Sequence, residues 1–197
     1  WREDRATKYQ QIVSEILLQR TKAETVAKYY DTFFSKFPDW NALANASLEE
    51  LEEIMKPLGL YRHRARRLYK LGEDIRRRGG KIPGNENELR DSGFIGLYVT
   101  NAFELFILRN RKPLLDVNMS RLLKRYFKPG DFIDVRHDKE IQELANDIIE
   151  VRRCKELNWA ILDYAALVCK SRNPLCGECV LNKHCKYYGL SQGDVTE

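Results

Sequence analysis

Four cysteines crowd into 17 residues near the end of the chain: Cys169, Cys176, Cys179 and Cys185, in the spacing C-x6-C-x2-C-x5-C. A disulfide framework spreads its cysteines across a small secreted chain. Four thiols in one short loop, with only Cys154 elsewhere, suit a metal or cluster site in a reducing compartment. Pro174 and Gly177 wrap the loop tightly. Four thiolates this close can hold one tetrahedral zinc or one cubane iron–sulfur cluster. Zinc knuckles and ribbons pair two C-x2-C arms across a longer gap, and this loop has a single such arm. His184 beside Cys185 offers another ligand, but four cysteines already fill a tetrahedral site. His184, with Lys183 and Lys186, reads as exposed, and Cys154 as a structural thiol.

The rest of the chain must supply a core, and 43% hydrophobic residues over 197 positions are enough for one compact unit or two small interlocked ones. The balance of 34 Lys+Arg against 29 Asp+Glu, net +5, permits an anionic partner without requiring one. No apolar run approaches the roughly 20 residues of a membrane span, which excludes membrane insertion. The opening Trp1-Arg2-Glu3-Asp4-Arg5 lacks the apolar core of a signal peptide, so a cytoplasmic location is expected. The missing Met at position 1 suggests that the numbering begins inside a longer gene product.

Hydrophobic periodicity predicts helix almost throughout. Residues 10–20 place Ile12, Val13, Ile16 and Leu17 on one face, and 21–37 continue with Val26, Tyr30, Phe33, Phe34 and Phe37. Ser47 with Glu50 forms a capping box that opens the helix LEELEEIM. Pro57 and Gly59 break that helix, and a strongly basic one spans 61–78. Turns at 79–80, 83–84 and 93–96 lead into the apolar helix LYVTNAFELFIL. Asp116 precedes a helix over 118–127, and helices near 138–151 and 155–168 lead to the cysteine loop. No segment keeps the period-two alternation of a half-buried strand. The fold class is all-α, with about nine or ten helices.

The cysteine spacing behind an amphipathic helix resembles the [4Fe-4S] loop of the endonuclease III family, the helix-hairpin-helix DNA glycosylases. The resemblance runs from Trp1 through Tyr188. SGFIGLY (92–98) stands where the family carries a glycine-rich hairpin of the type LPGVGxY. Gly96 matches its second glycine, Phe94 occupies the first, and Gly93 falls where proline is usual. In such a hairpin, glycines let backbone N–H groups approach a phosphate, and the next helix adds its dipole. LLDVNMSRLLKRYF is similar to the family's V-D-x-N/H-x-x-R-V segment and puts Asp116 on its catalytic aspartate, with Asn118 and Arg121 orienting the site. A fixed carboxylate there can stabilise the positive charge that builds on the sugar as the N-glycosidic bond breaks. The bland reading of Asp116 is a helix N-cap.

Bifunctional members carry a lysine that forms a Schiff base with the sugar. Tyr98 stands at that position and no lysine occurs between 82 and 111, so the resemblance implies the monofunctional branch. VSEILLQRT (13–21) is similar to the equivalent helix of the adenine glycosylases and of the thymine mismatch glycosylases. It implies that Glu15 acts on the base, that Arg20 fills the hole left by an extruded nucleotide, and that Gln19 sits beside it. LGLYRHRARRLYK resembles the family's GLY-x-x-(K/R)-A turn, with Leu60 or Tyr61 a second wedge and Arg62, Arg64, Arg66, Arg67 and Lys70 contacting phosphate.

The resemblance implies a two-lobed fold: a six-helix barrel over 10–112, a cluster lobe from 1–9 and 113–189, and a frayed tail at 190–197. A flipped nucleotide would lie in the cleft between Tyr98 and Asp116. The expected protein is a monomeric glycosylase with a [4Fe-4S] cluster on Cys169, Cys176, Cys179 and Cys185. Its partner is double-stranded DNA with a mismatched or damaged base. ILDYAALVC, CKYYG and Arg20 lie closer to the thymine branch (MDFSAIIC, CSYY) than to the adenine branch, and the chain stops just past the cysteine loop. The expected target is therefore thymine or uracil opposite guanine. Adenine opposite guanine or 8-oxoguanine is the alternative. A non-catalytic DNA-binding relative is a third reading, motivated by Phe94 and opposed by Glu15 and Asp116 together.

Overall fold

All regular elements among the described residues are helical. The computed structural model describes residues 6–19, 21–91, 96–130 and 134–192. The chain divides into two compact units, Trp1–Arg109 and Asn110–Glu197.

In the first unit, α1 (Lys8–Leu18) opens on a capping box: Thr7 accepts from the Gln10 N–H, and the Gln10 side chain accepts from the Thr7 N–H. α2 (Ala23–Lys36) and α3 (Trp40–Asn45, capped by Asp39) follow. α4 (Leu48–Met55) carries the Ser47–Glu50 capping box that its sequence announces. A 3-10 turn at Lys56–Leu58 ends α4 as Pro57 removes a donor, and Gly59 takes φ +67 before α5 (Tyr61–Arg77). α6 (Glu86–Asp91) and α7 (Leu97–Phe103) come next. The predicted apolar helix over 97–108 is thus α7 plus a π-helical turn, Glu104–Leu108, ended by Arg109 at φ +61. Ile12, Val13 and Leu17 of α1 are buried with Phe33, Leu51, Leu68 and Phe103, and α1 packs on α2, α5 and α7. α5 lies so close to α3 that a Cβ on Gly72 would come within 2.7 Å of the Leu43 carbonyl oxygen.

In the second unit, α8 (Val117–Phe127) packs against α9 (Lys139–Ile149), α10 (Cys154–Leu167) and α11 (Lys186–Gln192). Leu114, Met119, Leu123, Ile141, Ala145, Ile149 and Ala165 form its core. Two 3-10 turns, Cys176–Glu178 and Asn182–His184, make up the regular part of the cysteine loop. The short α3, α6 and α11 are additional to the helices expected from periodicity. No described helix is long and apolar enough to cross a membrane.

Candidate active site

Asp116 is the N-cap of α8. One of its oxygens accepts the backbone N–H groups of Asn118 and Met119, each at 2.8 Å, and the other accepts the Asn118 amide at 2.7 Å. The bland reading of this residue is therefore realised, and it fixes the carboxylate firmly. Burial pushes the Asp116 carboxyl above the usual carboxylate range; the three hydrogen bonds and the Arg121 charge partly offset that rise.

Arg121, one turn along α8, extends this network. Its guanidinium donates to the Asn118 side-chain oxygen at 3.0 Å, to the Ala165 carbonyl at 2.8 Å and to the Cys169 carbonyl at 2.8 Å. Asp116 is thereby linked, through Asn118 and Arg121, to the first cysteine of the loop. From the other side, the segment that enters α8 is clamped by Asn158 of α10, which is fully buried. Its oxygen accepts the Leu114 N–H at 2.6 Å, and its amide donates to the carbonyls of Lys112 and Cys154 at 3.2 and 2.9 Å. Sequence reasoning missed Asn158. The available signal is an asparagine on the face that also carries Leu162 and Ala165, at helical spacing.

In the first unit, Glu15 of α1 is buried, and the Tyr98 hydroxyl of α7 donates to its carboxylate at 2.6 Å. The two residues, 83 positions apart, are thus brought together. Gly96 is the N-cap of α7; a Cβ there would meet nothing, so neither backbone strain nor internal packing demands glycine. Gly93 and Phe94 of the hairpin, and Arg20, lie outside the described residues.

The turn before α5 leaves the Leu60 side chain exposed. This residue adopts φ +46, a left-handed conformation that disfavours branched side chains, and is 53% exposed. Tyr61 is half-buried, with the Arg62 guanidinium 5.6 Å from its ring centroid. Arg64 corrects its expected role as a phosphate contact. It is buried, and donates to the carbonyls of Leu58 and Gly59 and to the Gln19 carbonyl and Thr21 hydroxyl. Its place follows from register: 64, 68, 71 and 75 recur at helical spacing, so Arg64 shares the buried face of Leu68, Leu71 and Ile75. Arg64 ties the end of α1 to the turn that presents Leu60. Gln19 accepts a second bond, from Arg67, at its side-chain oxygen. Arg62, Arg66, Arg67 and Lys70 remain exposed.

The cysteine loop gathers its four thiols around one small cavity, which Val168, Leu175 and Tyr187 also line. Burial, followed by the charges of Cys169, Cys185 and Cys179, pushes the Cys176 thiol up, as befits sulfurs held close together. Among the described residues no three His, Cys, Asp or Glu side chains converge as one metal ion requires. Sulfurs that surround a cavity, rather than meet at a point, fit a multi-iron cluster in which each thiolate takes a different corner. α8 grips the loop: Arg125 donates to the Lys170 carbonyl at 2.6 Å and the Ser171 carbonyl at 3.2 Å, and lies 4.6 Å from the Tyr187 ring centroid.

The chain belongs to the HhH-GPD superfamily of base excision DNA repair proteins, whose model matches residues 13–153. The iron–sulfur binding domain of endonuclease III matches 169–185. The chain is 35% identical to the thymine-DNA glycosylase of Aeropyrum pernix over 181 residues, 90% of this chain and 81% of that protein. It is 31% identical to the thymine/uracil-DNA glycosylase of Methanothermobacter thermautotrophicus, covering 95% of this chain and 85% of the relative. The solved structure of a thermostable thymine-DNA glycosylase superposes with a TM-score of 0.82 at 30% identity, over 93% of this chain and 85% of the other. The activity is that of a DNA glycosylase, and the cofactor of the cysteine loop is a [4Fe-4S] cluster. When bound, the cluster supplies a compact bonded core and a one-electron centre.

Proposed function

We propose that the protein is a monofunctional, mismatch-specific glycosylase that removes thymine or uracil opposite guanine in double-stranded DNA, acting as a monomer. The observation that carries the glycosidic chemistry is the Asp116 carboxylate, fixed by three hydrogen bonds and partly desolvated. A preorganised anion stabilises the oxocarbenium-like sugar without having to reorganise as the bond breaks. Asn118 and Arg121 keep it in place, and Cys169, Cys176, Cys179 and Cys185 hold the cluster that anchors the loop to Arg121.

The monofunctional reading rests on Tyr98. Its hydroxyl is donated to Glu15, and a phenol cannot form the imine that a lysine would form with the sugar. Water then completes the displacement, with Glu15 and Tyr98 positioning the base or the water. Because the bond is inaccessible in stacked duplex, the nucleotide must flip. Arg20, Gln19, Leu60 and Tyr61 fill or flank the vacated stack, and Gly93, Gly96 and the exposed arginines of α5 hold the backbone. The choice of pyrimidine over adenine follows the names of the relatives at 31 and 35% identity.

The test is a panel of duplexes carrying a single G:T, G:U, A:G or A:8-oxoguanine pair, each incubated with cluster-loaded protein and split three ways. G:T and G:U should yield breaks only after alkali, and borohydride should trap no covalent complex. Preferential cleavage at the adenine pairs would establish the adenine reading instead. Efficient trapping would show a lysine nucleophile elsewhere in the chain. Tight binding with no excision on any duplex would leave a non-catalytic DNA-binding protein.

A further inference from the structure

We propose that Tyr164 tunes the cluster: its hydroxyl donates a hydrogen bond to the ligand sulfur of Cys179 and holds the cluster's one-electron couple at a more positive potential. This rests on the four-cysteine assignment. Tyr164 is a half-buried residue of α10, outside the cysteine loop. Its hydroxyl oxygen lies 3.2 Å from the Cys179 sulfur and 2.9 Å from the backbone nitrogen of Val180.

The direction of the first bond follows from the second. A backbone N–H can only donate, so the hydroxyl oxygen accepts from Val180, and its single proton is left for the sulfur. An iron-bound thiolate carries no proton and can only accept, so cluster binding reinforces this polarity. The Tyr164 carbonyl also accepts the N–H of Cys169 at 3.1 Å, so one residue touches two of the four ligands. A hydrogen-bond donor at a ligand sulfur stabilises the more electron-rich state and raises the potential. The loop is otherwise thinly covered: Gly177, Glu178 and Val180 are exposed, and the Arg125 guanidinium stands 3.6 Å from Cys169, on a different sulfur.

Tyr164→Phe keeps the ring and its packing and deletes only the donor.

The experiment compares the wild type and Tyr164→Phe, prepared anaerobically to equal iron content, by voltammetry of the bound cluster. The midpoint should move to a more negative value in the variant, and air should bleach its visible absorbance severalfold faster. Base excision by freshly loaded protein should be unchanged. Equal midpoints and equal bleaching rates would overturn the proposal. If the variant loads poorly, the iron–sulfur stretching bands of the wild type, read by resonance Raman spectroscopy in water and in deuterium oxide, decide the matter. An isotope shift of those bands supports an exchangeable O–H···S bond, and identical spectra refute it. A colourless protein with stoichiometric zinc would instead break the cluster assignment beneath the proposal.

Discussion

The first unit and the C-terminal stretch of the second are held in opposite ways. In the first, α1, α2, α4 and α5 interlock through large apolar side chains such as Phe33, Leu51 and Leu68, which leave almost no surface exposed. In the C-terminal stretch from 166 to 191, not one residue is buried. There the chain is held by side chain-to-backbone hydrogen bonds from Arg121, Arg125 and Tyr164, and by whatever the four thiols bind. A stretch of 26 residues without a core cannot offset its conformational entropy by burial. The lesson is that the cluster replaces a hydrophobic core for this stretch, and that α8 carries two of its supports, Arg121 and Arg125, as well as Asp116 as its N-cap.

The sharpest way to break that comparison is to remove one ligand. Cys176→Ser should lose the cluster, and the amides of residues 169–191 should exchange fully with solvent while α1, α4 and α5 stay protected. Hydrogen exchange followed by mass spectrometry reads both regions at once. Retained protection in the loop would show that hydrogen bonds alone suffice.

Next in size is the link between loop and carboxylate. Arg121→Gln keeps a donor but cannot reach the Asn118 oxygen and the Ala165 and Cys169 carbonyls together. Excision should fall by about ten- to a hundredfold, with iron content measured alongside. An unchanged rate at full iron content would make the network structural decoration.

A smaller effect is expected from the apolar side of the comparison. Gly72→Ala forces a methyl group to within 2.7 Å of the Leu43 carbonyl, a backbone atom that cannot swing away. Such overpacking should cost about 1–3 kcal/mol of stability, visible in the denaturant midpoint, with no change in cluster absorbance.

The smallest effect is a pH dependence. Burial raises the Asp116 carboxyl above its unfolded value, so folding favours the protonated form. That stability is present below the ordinary carboxylate range and is lost as the pH rises through the folded pKa. Asp116→Asn keeps a good N-cap and removes the buried charge. At neutral pH the variant should therefore unfold at the same temperature as wild type or slightly higher, and the gap should close as the pH falls.

Much of this was legible in the sequence where the signal is local. The Ser47–Glu50 capping box, the breaks at Pro57 and Gly59, and the start of α8 at Asp116 each depend on a few adjacent residues. The short α3 and α6 escaped because six residues give too little periodicity. Arg64 was misread because a run of arginines looks like a solvated face, although its spacing places it with Leu68, Leu71 and Ile75 on the buried face. Asn158 reaches Lys112 and Leu114, and the Tyr164 hydroxyl reaches Cys179, across separations that no local pattern encodes.

The central claim is that Asp116 is a catalytic anion whose capping bonds hold it in place for the transition state. Single-turnover excision of thymine from a G:T duplex, with equilibrium binding to the same duplex, tests it in Asp116→Asn. The rate should fall by roughly two or more powers of ten, while affinity, helicity and iron content hold. Excision at the wild-type rate by the folded, iron-replete variant would contradict the account and leave Asp116 a helix cap.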